Sequence, residues 1–296
     1  MKIRLENVNY NSDSGPNSFA KKLAKYVELQ GHVINWQNYD AVLCFIETVN
    51  EFPEKKLFQR LDGIYFNSDF NFQKQNSNIQ KTYHRADGVI FQSNFNKELT
   101  YKFFGEHENH TIIHNGADLE FIERIIPLKN DILDKYENVW ACAANWRPHK
   151  RLEENIRYFL EHRGPNDCMV IAGNAAPNNK LSDVFYTGNL PYQDLLSLYK
   201  RSAYFIHLAW LDHCPNVVVD ARASGCKIIC SSAGGTREVA GLDAIVIEED
   251  MWDYMPTKLY NPPSMDFTRK LKNSFDVDYD MITVAKKYLE FMNELV

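Results

Sequence analysis

Short apolar runs alternate with amphipathic stretches along most of the chain, the pattern of a parallel sheet covered by helices. KIRLENV reads as a strand and NYNSDSGPNS as the loop after it. SFAKKLAKYVELQ then brings Phe19, Leu23, Tyr26 and Val27 to one face at helical spacing, and Gly31 stops it. HVINW, AVLCFI and GVIFQ read as further strands. Between the last two, RLDGIYFNSDFNFQKQNSN is rich in Asn and poor in periodicity, which predicts a functional loop. HNGADLEFIERIIPLKN reads as an interdomain connection, after which the alternation restarts. NVWACAAN, CMVIAG, SAYFIHLAW and KIICSS are strand-like, while RLEENIRYFLEHR, PYQDLLSLYKRS and CPNVVVDARASG are helical. The expectation is an α/β chain of two Rossmann-like domains, 1–125 and 126–277, each of ordinary domain size. The remaining segment, 278–296, is an amphipathic helix without a sheet partner of its own.

Composition narrows the function classes. A net charge of -6 argues against a protein that coats nucleic acid. Cys44, Cys142, Cys168, Cys214, Cys226 and Cys230 form no Cys-x-x-Cys pair and sit mostly in apolar runs, which reads as buried thiols in a reducing compartment. The histidines fall in no metal-binding pattern, and no Asp-x-Asp stands in a convincing loop. MKIRLENVNY lacks the apolar core of a signal peptide, and no apolar run approaches the ~18 residues of a membrane span. A soluble, cytoplasmic protein is expected, with no metal and no membrane span.

The densest chemistry runs from His207 to Glu238, HLAWLDHCPNVVVDARASGCKIICSSAGGTREV. Asp212 and Asp220 bracket a loop that enters a helix, whose first turn presents the amides of Asn216, Val217 and Val218. Such a terminus, with unpaired N–H groups and a partial positive charge, suits a phosphate or sugar oxygen. Asp220, about one turn further in, suits the two hydroxyls of a ribose. Two isolated acids would more often be a helix cap and a solvated carboxylate, so the surrounding residues have to decide.

Those residues resemble the donor-binding segment of family-four retaining glycosyltransferases of the GT-B fold. The pattern is an acid, seven residues, an acid, Ala, a Gly before an apolar strand, and a Gly-Gly turn. Here it is met by Asp212, Asp220, Ala221, Gly225, KIIC, Gly234 and Gly235, with Glu238 following. Both acids are Asp where the family usually has Glu. Upstream, ACAANWRPHKRLEENI resembles the segment whose Arg and Lys grip the diphosphate. Lys150 matches the Lys; Asn145 stands at the usual Arg position, and Arg147 is the nearest basic residue. The resemblance places Gly188 beside the nucleotide base, and Gly15 and Pro16 in a turn facing the donor phosphates. It also marks Asn115 and Gly116 as the interdomain turn. Where the family often supplies a His to the transferred sugar, RLDGIYFN offers Asp62; a structural Arg60–Asp62 pair is the equal alternative. His149 and His207 receive no chemistry, and His207 reads as a core residue.

The resemblance implies two Rossmann-like domains facing a cleft, with the terminal helix returning to a trimmed first domain. It implies transfer of a hexose-type sugar from a nucleoside diphosphate to a hydroxyl on a glycan or other acceptor, with retention, no metal and no cofactor. Asp212 would orient the sugar, Arg147 and Lys150 hold the diphosphate, and Asp220 the ribose. An epimerase or phosphorylase on the same architecture, or an inactive carbohydrate- or nucleotide-binding module, remains the alternative.

Overall fold

The computed structural model describes residues 1–12, 14–176 and 181–296. The first half runs β1 (Lys2–Glu6), α1 (Gly15–Leu29), β2 (Val33–Ile34), β3 (Ala41–Phe45), β4 (Lys56–Leu61), α2 (Phe72–Arg85), β5 (Gly88–Phe91), α3 (Asn94–Phe104), β6 (His110–Ile112) and α4 (Leu119–Arg124). The second half runs β7 (Asn138–Ala144), α5 (Leu152–His162), β8 (Asp167–Gly173), β9 (Val184–Gly188), α6 (Tyr192–Arg201) and β10 (Tyr204–His207). It continues through α7 (Asn216–Ala223), β11 (Lys227–Ser231), α8 (Thr236–Val239), β12 (Ile245–Ile247) and β13 (Lys270–Lys272) to α9 (Met281–Leu295).

The strands form two sheets, ordered β2-β1-β3-β4-β5-β6 and β13-β12-β11-β10-β7-β8-β9. Every pairing is parallel except β12 with β13. The continuous apolar runs of β3 and β7 follow from burial on both faces of a parallel sheet. In the second sheet the chain leaves β7 toward β8 and β9, then returns through β10 and runs the other way. The loops after β7 and β10 therefore part above the sheet and open a crevice, the usual ligand position in such sheets. The loop after β1 opens a similar gap between β1 and β3.

The first half is sparingly covered, because β2 to β3 and β3 to β4 are joined without a helix. Helix α9 fills part of that need. Its Met281, Val284, Ala285, Tyr288, Leu289 and Met292 share one apolar cluster with Phe19, Leu23 and Val27 of α1 and with β1 and β3. The larger of these side chains contribute roughly 1.5–3 kcal/mol each by burial.

Two segments differ from the sequence reading. The Asn-rich stretch is a loop only over 62–71, and α2 begins at Phe72. Asn71 caps that helix by accepting from the Lys74 amide at 2.9 Å. Its inward face carries polar Asn76 and Thr82, which conceals the helical period. Both are satisfied, Asn76 by two bonds to the Tyr65 backbone and Thr82 by the Asn78 and Thr48 carbonyls. Gly15 and Pro16 form the first turn of α1 instead of a free loop. Proline suits that position, since its fixed φ is helical and no N–H is needed there.

Candidate active site

Lys150 and Asp212 meet above the second sheet. The loop after β7 closes in a short 3-10 turn, Pro148–Lys150. It is anchored by buried Arg151, which donates twice to Glu249 at 2.7 Å and once to the Pro263 carbonyl at 2.9 Å. Lys150 Nζ thereby reaches Asp212 Oδ2 at 2.5 Å, and His207 Nε2 lies 2.8 Å from the same oxygen. Burial alone would raise the Asp212 carboxyl, but the Lys150 charge and the His207 hydrogen bond hold it well below the usual carboxylate range. Asp212 does not cap α7, whose N-cap is Pro215.

The Gly-Gly turn explains how Asp212 is held. A Cβ on Gly234 would stand 2.6 Å from the Asp212 carbonyl oxygen, and one on Gly235 2.0 Å from that of His213. With no side chains there, the Gly235 amide donates to the Asp212 carbonyl at 2.7 Å.

Lys150, Asp212, Asn216 and Val217 line a hollow of about 280 Å³, and Gly15, Pro16 and Asp62 line it from the first half. The amides of Asn216 and Val217 have no acceptor among the described residues, whereas Val218 does not offer its own. Val218 is fully buried, and its amide donates to the Pro215 carbonyl at 3.1 Å, tightening the first turn of α7. Arg147 faces a neighbouring hollow of about 750 Å³ instead, walled by Ile64, Tyr65, Phe66, Phe70 and Tyr260. His149 stacks on Tyr260 there, and burial lowers its imidazole to about 3.

Asp220 lines neither hollow. Its carboxylate is buried, 3.3 Å from Lys22 Nζ of α1 and beside the Tyr192 hydroxyl. Burial raises its pKa, and Lys22 only partly offsets this. Gly188 also lies outside the hollows, at the end of β9 four residues before Tyr192.

Asp62 pairs with Arg60, and through the same Oδ1 with Gln92, while its buried Oδ2 has no partner among the described residues. Arg60 is fully buried, donating to Tyr288 of α9 at 3.0 Å and to Asn115 at 2.7 Å. The structural pair is thus present, and it uses one of the two carboxylate oxygens. Burial raises the Asp62 pKa despite Arg60.

Several contacts join the two walls. Asn216 Nδ2 donates to the Gly15 carbonyl at 3.0 Å, and Asn115 Nδ2 to that of Cys214 at 2.7 Å. Glu238 accepts from the amides of Asn94 and Phe95 at the start of α3, at 2.8 and 3.0 Å, and meets His114 Nε2 at 2.9 Å. An anion at a helix N-terminus is favoured by the exposed amides and the helix dipole.

The sequence reading missed His207 as a support of Asp212, Lys22 as a partner of Asp220, and His213 altogether. His207 carried one usable signal, a polar residue ending an apolar strand five positions before Asp212. Lys22 carried none, because its partner lies 198 positions away. Among the described residues no three His, Cys, Asp or Glu side chains converge to hold a metal ion, and no helix is long and apolar enough to cross a membrane.

Residues 128–254 match the family model of Glycosyl transferases group 1. That span contains Arg147, Lys150, Gly188, Asp212, Asp220 and the free amides of α7. No curated protein gives a significant match to the chain. Among solved structures, HepE from Anabaena in complex with UDP-glucose superposes with a TM-score of 0.70 at 14% identity, covering 100% of both chains. Sucrose-phosphate synthase from Thermosynechococcus elongatus gives 0.66 at 10% identity, covering 100% of this chain and 99% of that one. AviGT4, a glycosyltransferase involved in avilamycin A biosynthesis, gives 0.65 at 14%, covering 100% and 98%. The fold is GT-B. At these identities the likeness speaks to the fold alone.

Proposed function

We propose that the protein is a retaining, metal-independent glycosyltransferase that moves a hexose-type sugar from a nucleoside diphosphate to a hydroxyl of a glycan or other acceptor. The observation that carries this reading is the convergence in one hollow of Lys150, ionised Asp212 and the free amides of Asn216 and Val217. A diphosphate set against those amides and Lys150 meets positive charge where negative charge grows as the donor bond breaks. The bond between the anomeric carbon and the phosphate oxygen breaks, and the acceptor oxygen bonds to that carbon. The acceptor proton passes to the departing phosphate, so no separate base or metal is required. Asp212, fixed by Lys150 and His207, orients the sugar hydroxyls.

Asp220 takes the ribose in this scheme, which requires its carboxylate to turn from Lys22 or to share it. Arg147, beside the second hollow, reaches the diphosphate only by swinging across the seam. The base lies near Gly188. Six buried, unpaired cysteines suit work in the reducing cytoplasm.

A thermal-shift screen with UDP, GDP, ADP and their sugars tests the reading. HepE was solved with UDP-glucose, so that compound is the first to try. The matching nucleotide should stabilise the chain by about 2.7 kcal/mol at a hundredfold excess over Kd. No stabilisation by any of them would overturn the proposal. Consumption that needs free phosphate, or that yields an isomerised sugar nucleotide, would redirect it to a phosphorylase or an epimerase.

A further inference from the structure

Among the described residues the two hollows share only four lining residues, Pro16, Asp62, Asp212 and His213. A group passing from a donor in one hollow to an acceptor in the other has to cross this seam. Asp212 is already tied to Lys150 and His207, and proline has no polar side chain. Asp62 and His213 are the two polar groups at the seam with capacity left over.

The surroundings of His213 are built to hold its ring. The residue comes from the loop after β10, yet the walls around its ring come from the first half. Phe66 and Phe95 lie edge-on and tilted against it, at 6.2 and 5.5 Å between centroids. Asn96 Nδ2 sits 3.2 Å from Nδ1, and Ser93 Oγ donates to the His213 carbonyl at 2.8 Å. The facing backbone is Gly63, where a Cβ would stand only 2.4 Å from His213 Nε2. Gly63 has φ +138°, which side chains rarely adopt, so glycine is required there twice over.

Asn96 donating to Nδ1 places the proton of the neutral ring on Nε2. Burial keeps the ring neutral, lowering its pKa to about 4. Nε2 has no hydrogen-bond partner among the described residues. The ring is half-buried and Nε2 is not among the buried atoms, so its N–H stays open to the seam between the hollows, where a Phe or Leu filling the same space would offer no donor. A ligand oxygen at the seam can accept from it. Asp62 offers the complement, a buried Oδ2 without a donor among the described residues.

We propose that His213 and Asp62 form a hydroxyl clamp for the transferred sugar, His213 Nε2–H donating to one sugar oxygen and Asp62 Oδ2 accepting from a neighbouring hydroxyl. This rests on the glycosyl-transfer reading above and adds to it a contact to the sugar made across the seam by the second half. The clamp recognises a polyhydroxylated ring and ignores the nucleotide.

The test compares the bare nucleotide with its sugar nucleotide by calorimetry on wild type, His213→Phe, His213→Leu and His213→Gln. Phe keeps the ring, Leu fills part of the space, and Gln returns an amide close to Nε2. The expected result is nucleotide affinity within about twofold of wild type throughout, while the gain from the sugar falls roughly tenfold in Phe and Leu and is largely kept in Gln. On wild type labelled with 15N-histidine, the Nε2 resonance of His213 should move with the sugar nucleotide and stay still with the nucleotide alone. This second measurement decides even if the Phe and Leu variants misfold. Unchanged sugar-dependent affinity in Phe or Leu, or an Nε2 resonance indifferent to the sugar, overturns the clamp and leaves glycosyl transfer intact. Failure of wild type to bind any nucleotide overturns both.

Discussion

Asp212 and Asp220 flank the same loop and helix, yet they meet opposite surroundings. Asp212 faces the hollow, and its charge is held by Lys150 and His207, both from its own half. Asp220 is turned into the joint between the halves, and its cation, Lys22, comes from the opposite wall. The same chemical group is pushed to a lower pKa at one position and a higher one at the other. A partner within one domain is preorganised, whereas a partner across a cleft is tied to how the domains sit. In the proposed transfer the first acid therefore suits an unchanging contact with the reacting sugar, and the second a contact made when a nucleotide arrives.

The largest expected effect lies on the Asp212 side. Lys150→Ala should lower kcat by about 10²–10³-fold, because the cation matters most as charge builds on the leaving phosphate. Steady-state kinetics that show only a raised KM would make Lys150 a ground-state anchor and end the contrast. On the other side, Asp220→Asn should weaken nucleotide binding roughly ten- to a hundredfold, the worth of charged hydrogen bonds to two hydroxyls. Calorimetry with unchanged affinity would remove the ribose from Asp220.

A smaller effect should separate the two acids by sign in urea unfolding against pH. The folded pKa of Asp212 lies below the ordinary 3.8, so its contribution is present above that value and lost as pH falls through the lower one. The folded pKa of Asp220 lies above 3.8, so its contribution is full below 3.8 and lost as pH rises through the raised value. Asp212→Asn should flatten the acid limb, and Asp220→Asn the decline above pH 3.8. Parallel profiles for the two variants would show that the surroundings do not differ in the way described. The smallest expected change is none at all: in the proposed transfer Lys150 and helix amides neutralise the diphosphate, so turnover should survive EDTA. Loss restored by Mg²⁺ or Mn²⁺ would bring a metal into the mechanism.

What could be read from the residues follows from range. The helices α1, α5, α6 and α9 show a clear apolar face, and most strands are uninterrupted apolar runs, because burial writes itself into consecutive positions. Helix α2 escaped because two of its core positions are polar and satisfied by hydrogen bonds. In the site, Lys150, Asp212, Asn216 and Val217 were legible since one turn or loop places each of them. Val218 was misread because the tightening of one turn decides which amides remain free, and one-dimensional spacing does not reveal that. His213 and Lys22 depend on residues brought from the other half, and no local pattern encodes such a meeting.

The dependence of the first sheet on α9 has a consequence for synthesis. All six strands of that sheet have been made by Ile112, but the helix that completes its apolar cluster ends at Leu295. At about 5–20 residues per second, the ribosome needs roughly 10–40 s to cover the interval. During that time the second half can emerge and close around its own core, while the first waits with Phe19, Leu23 and Val27 incompletely covered. The half made first is thus the half finished last, and a nascent chain halted before Met281 would present that uncovered face to chaperones and proteases.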